Sequence, residues 1–119
     1  MDKARIDGKW ALVVRFWATP PQLELLPTGA GAPRILPDTG LENIAGACYF
    51  PDGDRILIVG NQRGHGTRSF VRRLDGGPLQ AVTPEGVQVI HVSSVAVSPD
   101  GRKIAALIRG RGPIVFPVD

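Results

Sequence analysis

The chain has one cysteine, Cys48, so no disulfide can close within it and no thiolate cluster can hold a metal. Two histidines, His65 and His91, leave little material for acid–base or metal chemistry. The local patterns that announce catalysis are absent: there is no Gly-x-Ser-x-Gly elbow, no His-Glu-x-x-His segment and no Gly-rich phosphate loop. Apolar stretches such as Ile56 to Val59 and Val95 to Val97 fall far short of the roughly 20 residues that span a bilayer as a helix. No charged segment followed by a long apolar one opens the chain. The expectation is a soluble domain that is not an enzyme, carries no cofactor or metal and does not enter a membrane.

Net charge is also small, since 14 Lys and Arg against 11 Asp and Glu leave +3 over 119 residues. Its placement is uneven. Arg55, Arg63, Arg68, Arg72 and Arg73 lie between Asp54 and Asp75 without an intervening acid, and four more basic residues fall between Arg102 and Arg111. Such patches can meet an anionic partner. The preferred reading is that these side chains decorate exposed edges and loops and discourage edge-to-edge pairing. A nucleic-acid partner using Arg63, Arg68, Arg72 and Arg73 is not expected, because no row of aromatic residues accompanies the arginines.

What the chain has in plenty is turn-forming residues. Its 15 Gly and 11 Pro are spread between short apolar runs, which leaves no segment long enough for a helix. Ten strands are predicted, at about 11–16, 22–26, 33–36, 45–50, 55–60, 69–74, 79–83, 93–98, 103–109 and 113–118. Three of them follow an Asp-Gly turn: Asp7-Gly8 before Trp10 to Val14, Asp52-Gly53 before Ile56 to Val59, and Asp100-Gly101 before Ile104 to Leu107. The turns are 45 and then 48 residues apart, a period that signals an array of small antiparallel sheets, none able to bury its own faces. A second repeated strand aligns Ser69 to Asp75 with Pro113 to Asp119, and Leu23 to Leu26 is a looser first copy. Naming four strands per unit A to D, the chain reads B, C, D, then A to D, then A, B, C, with Lys3 to Ile6 as a degenerate first A strand. The units are residues 1–40, 41–86 and 87–119, the last lacking its outer strand.

Phe50-Pro51-Asp52-Gly53-Asp54-Arg55-Ile56, Ser98-Pro99-Asp100-Gly101-Arg102-Lys103-Ile104, Leu74-Asp75-Gly76-Gly77 and Val82-Thr83-Pro84 resemble the TolB-type, WD40-like β-propeller repeat. The resemblance covers nearly the whole chain. It implies an all-β partial propeller in which Ser-Pro-Asp-Gly turns join strands A and B and Leu-Asp-Gly-Gly turns join C and D. It also implies a bacterial protein of the cytoplasm or periplasm. Its role would be structural or protein-binding, or else that of a regulatory or sensor propeller in a larger kinase or peptidase. Two departures stand out: no Pro precedes Asp7, and Pro117 falls inside the third C strand, where only an edge position tolerates it.

Candidate functional residues are few. Arg63, His65 and Arg68 lie in or beside a polar loop between strands B and C, where they would form a weak anion or ligand site; the competing reading is a hairpin loop with glycines at positive φ. Asp7, Asp52, Asp75 and Asp100, with Gly8, Gly53, Gly76, Gly77 and Gly101, are read as structural turns, because an Asp before Gly pre-sets a tight turn through its own side chain. Cys48 alternates with Phe50 and is expected to be a small buried apolar group. Phe50, Ile56, Ile58, Val95, Val97 and Ile104 are the predicted core. Trp10 and Trp17 are assigned to blade faces or a subunit interface. An arc of fewer than three blades leaves two end faces uncovered, so self-assembly is expected. A dimer would make a six-bladed ring if Lys3 to Ile6 supply strand A, and a trimer is the alternative.

Overall fold

A computed structural model describes residues 10–86, 95–108 and 110–118. Within them the chain forms three antiparallel sheets and no helix, with ten strands close to the predicted positions. The first sheet is ordered β1-β2-β3, from Trp10–Arg15, Gln22–Pro27 and Arg34–Ile35. The second is ordered β4-β5-β6-β7, from Asn43–Tyr49, Arg55–Asn61, Arg68–Arg73 and Gly76–Ala81. The third is ordered β10-β9-β8, from Gly112–Pro117, Lys103–Ile108 and Val95–Val97. Lys3 to Ile6, Asp7, Gly8 and His91 lie outside the described residues, as does the side chain of Val95.

Side-chain parity decides which face each strand buries. In β5, Ile56 and Ile58 face the first sheet, where they join Leu23, Leu25 and Phe70 in one buried cluster. Leu57, on the other face, joins Phe50, Val71, Ile104 and Val118 in a second cluster against the third sheet. The middle sheet is therefore covered on both sides, which is why β5 is a continuous apolar block rather than an alternating strand. Half-buried Trp10 packs on the first cluster, and half-buried Val97 on the second.

Local details follow from small residues. β4 carries a register shift between Ile44 and Gly46, and Gly60 sits opposite Ile44, where a Cβ would overlap the Asn43 carbonyl. β7 begins at Gly76, earlier than predicted, because Gly76 and Gly77 adopt φ of 118° and 100° and close the turn from β6 at once. Pro117 lies at the end of β10, an edge strand, which accommodates its missing donor. Among the described residues no helix is long and apolar enough to cross a membrane.

Candidate functional site

The Asp-Gly turns are built by side-chain hydrogen bonds. Asp52 Oδ1 accepts from the backbone N–H groups of Asp54 and Arg55 at 2.9 and 3.2 Å, its Oδ2 accepts from Arg55 Nε at 2.9 Å, and Gly53 turns the chain at φ 70°. Partial desolvation pushes the Asp52 carboxyl up, but these hydrogen bonds and the Arg55 charge outweigh it and hold its pKa below the ordinary value. Asp100 repeats the arrangement, with Gly101 at φ 71°. Its Oδ1 accepts from Ser98 Oγ at 2.6 Å and from the Arg102 N–H at 3.0 Å, and these two bonds, the hydroxyl first, lower its pKa. Asp75 is a looser case, 3.5 Å from Arg73 Nε on the surface. These carboxylates are occupied in shaping hairpins.

Most of the arginines between Asp54 and Asp75 are also occupied, Arg55 and Arg73 chiefly by carboxylates and Arg68 and Arg72 by backbone carbonyls. Arg68 donates through Nε and Nη2 to the Thr83 carbonyl at 2.9 and 2.7 Å. Arg72 reaches the carbonyls of Gly77, Pro37 and Asp38, each at 3.0 Å, and so ties the middle sheet to the segment leaving the first. Arg55 Nη2 donates to the Gly101 carbonyl of the next turn at 3.4 Å. Two arginines of the run, Arg55 and Arg72, thus tie the middle sheet to segments of its neighbours, a role no local pattern discloses.

The three residues of the candidate anion site part company. His65 Nδ1 is 3.0 Å from Glu85 Oε2, and Glu85 Oε1 accepts from the Gly66 N–H at 2.8 Å. The Gly66 hydrogen bond, followed by that of His65, lowers the Glu85 pKa. The hydrogen-bond partner of His65 is thus a carboxylate of the chain itself. Space at Gly66 is tight, since a Cβ would lie 3.1 Å from the Gly86 nitrogen. Arg68 is spent on Thr83, whose hydroxyl oxygen accepts from the Ser69 N–H at 2.9 Å. Arg63, exposed, instead lines a trough of about 440 Å³ with residues of the β1–β2 loop.

That loop carries the residues missed as a site. The Ala18 N–H donates to the Arg15 carbonyl at 3.2 Å, closing a turn whose two central residues are Phe16 and Trp17. Their side chains are 70% and 66% exposed and meet edge to face, centroids 5.1 Å apart at 82°. Trp17, assigned from sequence to a blade face or subunit interface, stands on a loop tip. The signal was available: two adjacent aromatics, followed by Pro20-Pro21, sit where a turn ordinarily takes Gly, Asn or Asp.

Cys48 corrects an expectation. It pairs with Leu57 and so lies on the face that holds Phe50, as parity required, but it is exposed. Partial desolvation still raises its thiol pKa, which disfavours the reactive thiolate.

No protein-family model and no curated protein matches the chain. Among solved structures it is similar to TolB from Acinetobacter baumannii, with a TM-score of 0.67 and 20% sequence identity over 93% of this chain. The chain has the fold of part of a TolB-like propeller. It spans 30% of the length of that TolB chain, and its three sheets are blades of such an arc.

Proposed function

We propose that the chain is a propeller segment acting as a structural and protein-interaction module, and that it closes its ring by packing further blades, supplied by a second copy, on its two outer sheet faces. The observation that carries this reading is the composition of those faces. On the third sheet, register places Ala96, Ala105, Leu107, Pro113 and Val115 together, opposite the face packed on the middle sheet. Leu107 is 39% and Val115 60% exposed. On the first sheet Ala11, Val13, Leu26 and Ile35 share the outer face with the Arg15–Glu24 ion pair, and Ile35 is 57% exposed. Each end of the arc thus presents a sheet face whose centre is apolar and whose charged residues, Arg15 and Glu24 on the first sheet and Lys103 on the third, share it. A heterologous contact of one end on the other closes when the accumulated rotation completes a circle.

Light scattering on a size-exclusion column tests it at micromolar concentration. A mass of two chains of 12.7 kDa is expected. A mass of one chain overturns self-assembly, and a mass of three keeps the ring closure but replaces the dimer.

A further inference from the structure

A different surface from the two sheet faces offers a ligand site. Phe16 and Trp17 occupy the tip of a hydrogen-bonded turn and are largely bare, although large aromatics are costly to leave in water and serve no packing role there. The turn is closed by the Ala18 to Arg15 hydrogen bond and followed by Pro20 and buried Pro21. Pro20 and Pro21 line both the 440 Å³ trough and a neighbouring hollow of about 190 Å³ that reaches Ile35 and Asp38. The result is an open track that runs along both sides of the two prolines rather than a closed pocket.

Charge selects among occupants. Arg63, on the wall of the trough, has no hydrogen-bond or ion-pair partner among the described residues, whereas Arg55, Arg68 and Arg72 are spent on the protein itself. Glu42 lines the same wall, its Oε1 accepting from Asn61 Nδ2 at 3.3 Å. A single guanidinium without an internal partner suits one acidic group, whereas a nucleic-acid strand needs several cations along its backbone. The Phe16–Trp17 pair is engaged edge to face, a geometry that leaves ring faces for a flat apolar group such as a proline ring. Aromatic-lined grooves use such faces to bind the preformed polyproline conformation.

We propose that this trough binds a short extended peptide of a partner protein, with a proline packed on Trp17 and Phe16 and an Asp or Glu side chain, or a terminal carboxylate, paired with Arg63. Glu42 would accept a backbone N–H of the same peptide.

The test selects random displayed peptides on the wild-type chain with counter-selection on Trp17→Ala, then titrates the best synthetic peptide into the isotope-labelled protein. Selected sequences should be enriched in proline with an acidic residue at a constant spacing, and the peptide should shift the indole signal of Trp17 but not that of Trp10. Arg63→Ala should weaken an Asp peptide several-fold and leave its Asn counterpart unchanged, while Trp17→Ala should weaken both at least tenfold. Both variants should keep the light-scattering mass of the wild type, which separates this site from ring closure. Absence of enrichment over the counter-selection, equal loss for Asp and Asn peptides on Arg63→Ala, or stronger perturbation of Trp17 by a short oligothymidylate than by any selected peptide would overturn the proposal.

Discussion

The Arg55 guanidinium lies over the Phe50 ring, 4.4 Å from its centroid. Phe50 is fully buried against the third sheet, and the same guanidinium reaches Asp52 and the Gly101 carbonyl. One side chain thereby joins two successive turns across a blade boundary. Replacing it by Lys keeps the charge but loses the planar fork and the stacking. Arg55→Lys is expected to cost about 1 kcal/mol. A double-mutant cycle with Phe50→Leu, read by urea denaturation, should return a coupling of about 0.5–1 kcal/mol. Zero coupling would show that the stacking contributes nothing.

Asp52 separates hydrogen bonding from charge. Asp52→Ala removes its turn bonds and should cost about 1 kcal/mol, whereas Asp52→Asn keeps an acceptor at Oδ1 and should cost less. Asp52 has a folded pKa below its unfolded value, so its charged form stabilises the fold. That contribution is complete above the unfolded pKa, near 3.8, and is lost as pH falls through the lower folded pKa. Asp52→Asn should therefore flatten the fall in melting temperature below about pH 4, a comparison made by calorimetry. An unchanged acid limb would remove Asp52 as its source.

At Gly60 the constraint is steric, since a Cβ there meets the Asn43 carbonyl across the bulged strand pair. Gly60→Ala should destabilise by about 2 kcal/mol. Gly101→Ala suffers twice, from φ of 71° and from a Cβ only 2.9 Å from Arg55 Nη2, and adding Arg55→Ala should relieve only the second part. Chemical denaturation of the two single variants and the double variant reads this difference.

The outer faces should tolerate charge as folded surfaces but not as interfaces. Val115→Asp is expected to leave the strand content seen by circular dichroism intact while reducing the light-scattering mass to one chain. Ile104→Ala, in the buried cluster between the second and third sheets, should instead cost about 2–5 kcal/mol. A Val115→Asp protein that keeps the mass of the wild type would remove this face from the assembly.

The sequence by itself determined the all-β architecture, the strand positions and the turns, because those depend on short-range chemistry. Asp52 and Asp100 hydrogen-bond within three residues of themselves, and Gly53 and Gly101 supply the positive φ that each turn needs. Phe50, Ile56, Ile58 and Ile104 were legible as core from their place around the repeat. Tertiary structure alone decided what depends on neighbours distant in the chain. It spent Arg68 and Arg72 on carbonyls 15 and 34–35 residues away and set Glu85 on His65 from 20 residues away. It left Cys48 bare although its parity matched Phe50. It also brought Arg63 to the same trough as Phe16 and Trp17, because a side chain's partners are fixed by how sheets stack, and stacking is a property of the whole arc rather than of any one strand.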